Sequence, residues 1–197
     1  SPQVQRQRAM EIVGNAFTRL RSVFPSLTRL IPFRKIEYTD EVPTMAVDPF
    51  GHLYISPRFV TVDIPMTVAQ KHLERTGEPI SESELVRGVV DKVQMILIHE
   101  ALHLALTHFP RFEDYQRINA SLMREMEEAG VSAHDAFNEV ADLEINTIID
   151  DLAKVLRERR VVSPDATFDE FITELPLCDP HLPWESNYQR HARNLIS

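Results

Sequence analysis

His99-Glu100-Ala101-Leu102-His103 decides how this chain is read. Residues four apart on an α-helix lie on one face, so two imidazoles at this spacing can take two corners of a tetrahedral metal. The glutamate between them points to one side, where it can hold a water and serve as general base. Three fixed positions are few, and the bland alternative is a helix carrying two surface histidines. The flanks argue against it: Met95-Ile96-Leu97-Ile98 lead in, and Ala101, Leu102, Leu104, Ala105 and Leu106 fill the rest. A helix apolar on nearly every side is expected to be buried. Buried histidine and glutamate need partners, and a metal with its water supplies them.

The helix has clear boundaries. Ser81-Glu82-Ser83-Glu84 matches a capping box, with Ser81 as N-cap and Glu84 reaching back. Only Gly88 interrupts the helix formers from there on, and Pro110 predicts a stop near His108.

Working outward, residues 3 to 22 read as an amphipathic helix with Ile12, Val13, Phe17 and Leu20 at helical spacing, and Pro25 and Pro32 end it. Ile36 with Tyr38, Met45-Ala46-Val47 and Leu53-Tyr54-Ile55 are short strand-like runs. Asp48-Pro49-Phe50-Gly51 joins the last two as a hairpin turn. A short helix over 65 to 76 stops at Gly77 and Pro79. Residues 112 to 128 read as one helix stopped by Gly130. Ser132 caps a long helix running to about Arg160, and residues 161 to 197 form an irregular, proline-rich tail with one short helix at most. The fold class is α+β: mostly helical, one small early sheet, and a motif helix packed against a second long helix.

Length and composition set the frame. A chain of 197 residues, 43% hydrophobic and 26% charged, suits a single domain with a real core, spanning 1 to 197 and opening on an N-terminal helix within residues 1 to 30. A net charge of -9 argues against a nucleic-acid partner. Arg6, Arg8, Arg19 and Arg21 suit a solvated helix face better than a binding stripe. No apolar run reaches the roughly 20 residues that span a bilayer, so no membrane partner is expected. The single Cys178 excludes an internal disulfide and points to a reducing, cytoplasmic compartment.

A catalytic zinc site has three protein ligands and one open position. The strongest source of the third is the second long helix, where Asn138, Asp142 and Asn146, four apart, form a polar ridge beside the small Ala141. Glu139 competes with Asp142. His108 is a further candidate, about half a turn round a regular helix from His99, and better suited to a supporting role near Arg111. Taken alone, Glu139, Asp142 and Glu144 read better as solvated surface, and it is the upstream His-Glu-x-x-His run that turns the reading toward a ligand. His52, His72, His134, His181 and His191 have no ligand spacing.

The run His99-Glu100-x-x-His103-x-x-x-x-His108-x-x-Arg111, followed by Asn138-x-x-Ala141-Asp142-x-x-Ile145-Asn146, resembles the metallopeptidase domain family often found ahead of a von Willebrand factor A-like domain in bacterial and phage proteins. Thr44 to Asp48, Leu53 to Pro57 and Trp184-Glu185-Ser186-Asn187-Tyr188 are similar to other elements of that family, so the resemblance runs from about residue 40 onward. It implies a zincin-like fold, zinc (Zn2+) held by His99 and His103, Glu100 as base, and Asp142 rather than Glu139 as third ligand. The chain departs from the family where Pro49-Phe50-Gly51 replaces a direct Asp-Gly turn and where Ser56 stands for an asparagine. No von Willebrand-like half follows in the sequence, which suggests a stand-alone bacterial or phage-encoded version.

The expectation is a zinc metallopeptidase acting on a peptide or protein substrate. An extended peptide would pair with the strand at 44 to 48 or at 53 to 56. Oxyanion help would come from His108, Tyr54 or Tyr188. The alternative is a zincin-shaped binding or assembly protein with a structural or inactive metal site and a protein partner.

Overall fold

The computed structural model describes residues 1–29, 31, 33–166, 168 and 174–197. The architecture is mostly helical with a small three-stranded sheet, as α+β patterning predicts. Two compact units divide the chain, Ser1–Ala105 with Lys154–Thr167, and Leu106–Ala153 with Phe168–Ser197.

The first unit begins with helix α1 (Pro2–Val23), which buries Ala9, Val13, Ala16 and Leu20 along one stripe. Ile12 and Phe17, expected in that stripe, are half-buried on its borders. Pro25 opens a short helix, α2 (Pro25–Thr28); the break expected at Pro32 lies outside the described residues. The sheet comprises β1 (Lys35–Tyr38), β2 (Met45–Val47) and β3 (His52–Ile55) in the order β1-β3-β2. β2 and β3 form the predicted antiparallel hairpin. Its turn is held by Asp48, whose Oδ1 accepts the Phe50 and His52 N–H groups at 2.8 and 3.0 Å, while Gly51 supplies a φ of 83°. β1 pairs with β3 in parallel. β3 is therefore central, with neighbours on both edges, and cannot accept a peptide strand at 53 to 56; only the 44 to 48 alternative keeps an edge.

A π-helical segment, Phe59–Asp63, leads into α3 (Ile64–Thr76), which Gly77 ends in the left-handed conformation. The motif helix α4 (Glu82–Ala105) starts on the capping box as predicted. The Glu84 N–H donates to Ser81 Oγ, and Glu84 Oε2 accepts the Ser81 N–H, both at 3.3 Å. Within this unit α4 packs on α1, α3 and β2, and every residue from Asp91 to Ile98 is buried.

Gly88 marks the close approach of α3 and α4. A Cβ placed there would lie 2.7 Å from Val68 Cγ1. Val68 is buried and β-branched, so its side chain has little room to rotate away. The helix-propensity gain of Gly88→Ala, about 1 kcal/mol, is outweighed by overpacking of about 1–3 kcal/mol. The variant is expected to melt at a lower urea concentration than the parent; an equal or higher midpoint would show that α3 can yield.

The second unit holds α5 (His108–Ile118), α6 (Ala120–Glu128), most of α7 (Ala133–Glu158) and α8 (Trp184–Ile196). Two boundaries differ from expectation. α4 stops at Ala105 rather than near His108, because Thr107 takes a left-handed φ of 54° and Pro110 sits in the first turn of α5, where its missing N–H costs nothing. Asn119 splits the stretch read as one helix over 112 to 128, its Nδ2 donating to the Tyr115 carbonyl at 2.9 Å. Ser132 caps α7 as predicted, its Oγ accepting the Asp135 N–H at 3.1 Å. The late helix is α8, longer than the proline-rich tail suggested. Its Trp184 and Tyr188 join Phe112, Phe137, Val140 and Met126 in the core of this unit, with Phe112 and Phe137 stacked at 4.2 Å.

Candidate metal centre

α4 turns sequence spacing into a pair of facing donors. His99 and His103 sit one helical turn apart, with ring centroids 5.0 Å apart and planes at 76°. Their Nε2 atoms are 3.3 Å apart. Two ligands bound to zinc at about 2.0–2.1 Å in tetrahedral geometry stand about 3.3 Å from each other, so the two imidazoles already span one edge of such a tetrahedron. Without an ion, the same separation lets the pair share one proton as N–H···N. His103 and Glu100 are buried and His99 is half-buried, so these polar groups are largely withdrawn from water and need partners. Family-model, curated-protein and solved-structure comparisons returned no match.

The other candidates lie on the second unit. Asn138, Asp142 and Asn146 follow one another at one-turn intervals on α7, passing from exposed to half-buried to buried. Asn138 Nδ2 lies 3.2 Å from His134 Nδ1. Glu139, the competing ligand, is engaged elsewhere: its Oε2 is 2.9 Å from Nε2 of the buried His191. A carboxylate engaged in this way would have to give up its His191 partner to bind a metal. Glu144 is thus not the solvated residue that its sequence position alone suggested, whereas Glu139 meets His191 but keeps its side chain 44% exposed.

The proposed oxyanion donors divide in the same way. The Tyr188 hydroxyl is in the core, donating to the Ala133 carbonyl at 2.8 Å, and burial pushes its pKa up. The Tyr54 hydroxyl donates to Asp48 Oδ2 at 2.9 Å, bracing the hairpin turn. His108 is wholly buried, with Nε2 3.0 Å from Glu144 Oε1. It begins α5, past the left-handed Thr107, and so does not continue the helical face of His99 and His103.

Residues that the sequence left in the background surround His108. Glu144 accepts from Arg111 through both oxygens, at 3.1 and 3.2 Å, and from the Trp184 N–H at 2.7 Å. Glu185 takes the remaining face of Arg111 at 2.7 and 2.6 Å. Burial raises the pKa of Glu144, but the bonds from His108, Arg111 and Trp184 outweigh it and bring the carboxyl down to about 2. The one sequence signal for this network is Arg111 at a fixed distance after His108; Glu185 looks like an ordinary acidic residue in a first helical turn.

Proposed function

We propose that the chain is a zinc-dependent peptidase in which His99, His103 and Asp142 hold the metal and Glu100 is the general base. The observation that carries this reading is the 3.3 Å separation of the two Nε2 atoms on α4, where His103 is buried and His99 half-buried. Two neutral imidazoles and a carboxylate are a donor set that suits zinc and leaves a fourth position open. The resemblance of the His-Glu-x-x-His run and of the α7 segment to the metallopeptidase domain family supports the same assignment.

When bound, zinc would supply a Lewis acid that brings the pKa of a water near 7 and polarises a carbonyl. Glu100, which follows His99 directly on α4, would hold a water there, take its proton as general base and pass it to the leaving amine. The buried surroundings of Glu100 and His103 keep bulk water from competing for that proton. β2, the edge strand of the hairpin, offers backbone groups to an extended peptide. Among the described residues no helix is long and apolar enough to cross a membrane.

Elemental analysis of protein purified without added metal tests the assignment. The expected result is one zinc per chain, lost in His103→Ala, with chelator-sensitive cleavage across a mixed peptide library. Absence of stoichiometric zinc would remove the proposal. Zinc without cleavage would turn it into a metal-stabilised binding or assembly protein.

A further inference from the structure

We infer that Arg111 is a positioning residue for the metal site, a role that rests on the zinc assignment above. Its guanidinium has five N–H donors in a fixed fork, and all five are used. Nε donates to Glu185 Oε1 at 2.7 Å, and one terminal nitrogen donates to Glu185 Oε2 at 2.6 Å and Glu144 Oε2 at 3.2 Å. The other donates to Glu144 Oε1 at 3.1 Å and to the Leu106 carbonyl at 3.0 Å.

These contacts grip three separate pieces of chain. Leu106 lies three residues after His103 and directly before Thr107, whose left-handed backbone is costly for a β-branched residue. Arg111 holds this turn twice, through its side chain at Leu106 and through its own N–H to the Thr107 carbonyl at 3.1 Å. Glu144 lies two residues after Asp142 on α7. Residues two apart on an α-helix point about 200° from each other, so a clamp on Glu144 fixes the rotation of α7 that directs Asp142 the other way. Glu185 stands at the start of α8, and Glu144 also accepts the Trp184 N–H at the first residue of that helix, where Pro183 has no side-chain cap to offer. One guanidinium therefore sets the turn that follows the histidine pair and the rotation of the helix that bears the aspartate.

A lysine keeps the charge but has only three donors on one nitrogen and cannot reproduce the fork. The test compares the full chain with Arg111→Lys and with the milder Glu185→Gln, by zinc affinity against a chromophoric chelator and by melting of the metal-free forms. Groups that hydrogen-bond a metal ligand cost about 10–100-fold in affinity when lost, and Arg111, which acts one step further out, should cost about tenfold. Arg111→Lys is expected to weaken zinc binding by that factor while the metal-free protein stays folded, and Glu185→Gln to fall between it and the parent. Variants that melt earlier yet bind zinc as the parent does would overturn the inference and leave Arg111 with a structural role only. A parent chain that binds no zinc would instead overturn the metal assignment, and this inference with it.

Discussion

With zinc and Glu100 in the proposed roles, Glu100→Gln is expected to leave zinc bound and to lower kcat/KM for peptide cleavage by about a thousandfold, within the 10²–10⁴ range of a positioned general base. Glutamine fills the same volume on the buried face of α4 and keeps an acceptor, but it cannot take a proton at neutral pH. The loss should fall on kcat, with KM nearly unchanged, because the missing interaction is made only in the transition state. The facing imidazoles of His99 and His103 are untouched by the substitution, so zinc stoichiometry should equal that of the parent. His103→Ala is the counterpart: it removes one donor and should lose metal and turnover together. Progress curves for a cleaved peptide, with zinc content measured on the same samples, separate the two variants. A Glu100→Gln protein that keeps more than a tenth of the parent rate would assign the proton to another group.

How far the sequence led differs from one element to the next. α4 was legible at its start and along its faces, because a capping box and an apolar run are local patterns. The facing of His99 and His103 was legible for the same reason, since a four-residue spacing on a helix fixes it. The end of α4 was misread: Pro110 looked like a stop, but a proline in the first turn of the next helix breaks nothing. The hairpin could be read from its turn, whereas the parallel pairing of β1 with β3 could not, because no local residue pattern encodes a non-adjacent partner. Arg111 and Glu185 lie 74 residues apart in sequence, so their fork was invisible until α5, α7 and α8 were placed. The preference for Asp142 over Glu139 comes from the resemblance alone, and the contact of Glu139 with His191, 52 residues away, has no local sequence pattern that could announce it.

Acid should unfold the second unit through Glu144. The carboxyl sits at about 2 in the folded chain, against 4.5 for an unperturbed glutamate. A depressed carboxylate pKa contributes stability that is complete above the unfolded value and is lost as pH falls through the folded one. The window therefore runs from about pH 4.5 down to about pH 2. At 1.36 kcal/mol per pKa unit, and allowing for the solvent that reaches this ion pair, the charge on Glu144 contributes about 2 kcal/mol at neutral pH. Glu144→Ala removes more, because it takes away an acceptor from the buried His108, from two of the five Arg111 donors and from the first N–H of α8 together. Arg111 keeps Glu185, so the expected loss is about 3 kcal/mol, at the low end for breaking a buried pair. Glu144→Gln keeps the shape and one acceptor but carries no charge, so it should show a shallower loss of stability across the window, the part that belongs to carboxylates such as Asp48 and Glu84. Urea midpoints taken in chelator from pH 7 down to pH 3 should start apart for the parent and Glu144→Gln and converge as the parent protonates. Curves that stay parallel would place the acid sensitivity in other carboxylates, and equal midpoints at pH 7 would mean that the fork between α5, α7 and α8 adds nothing beyond the aromatic core it borders.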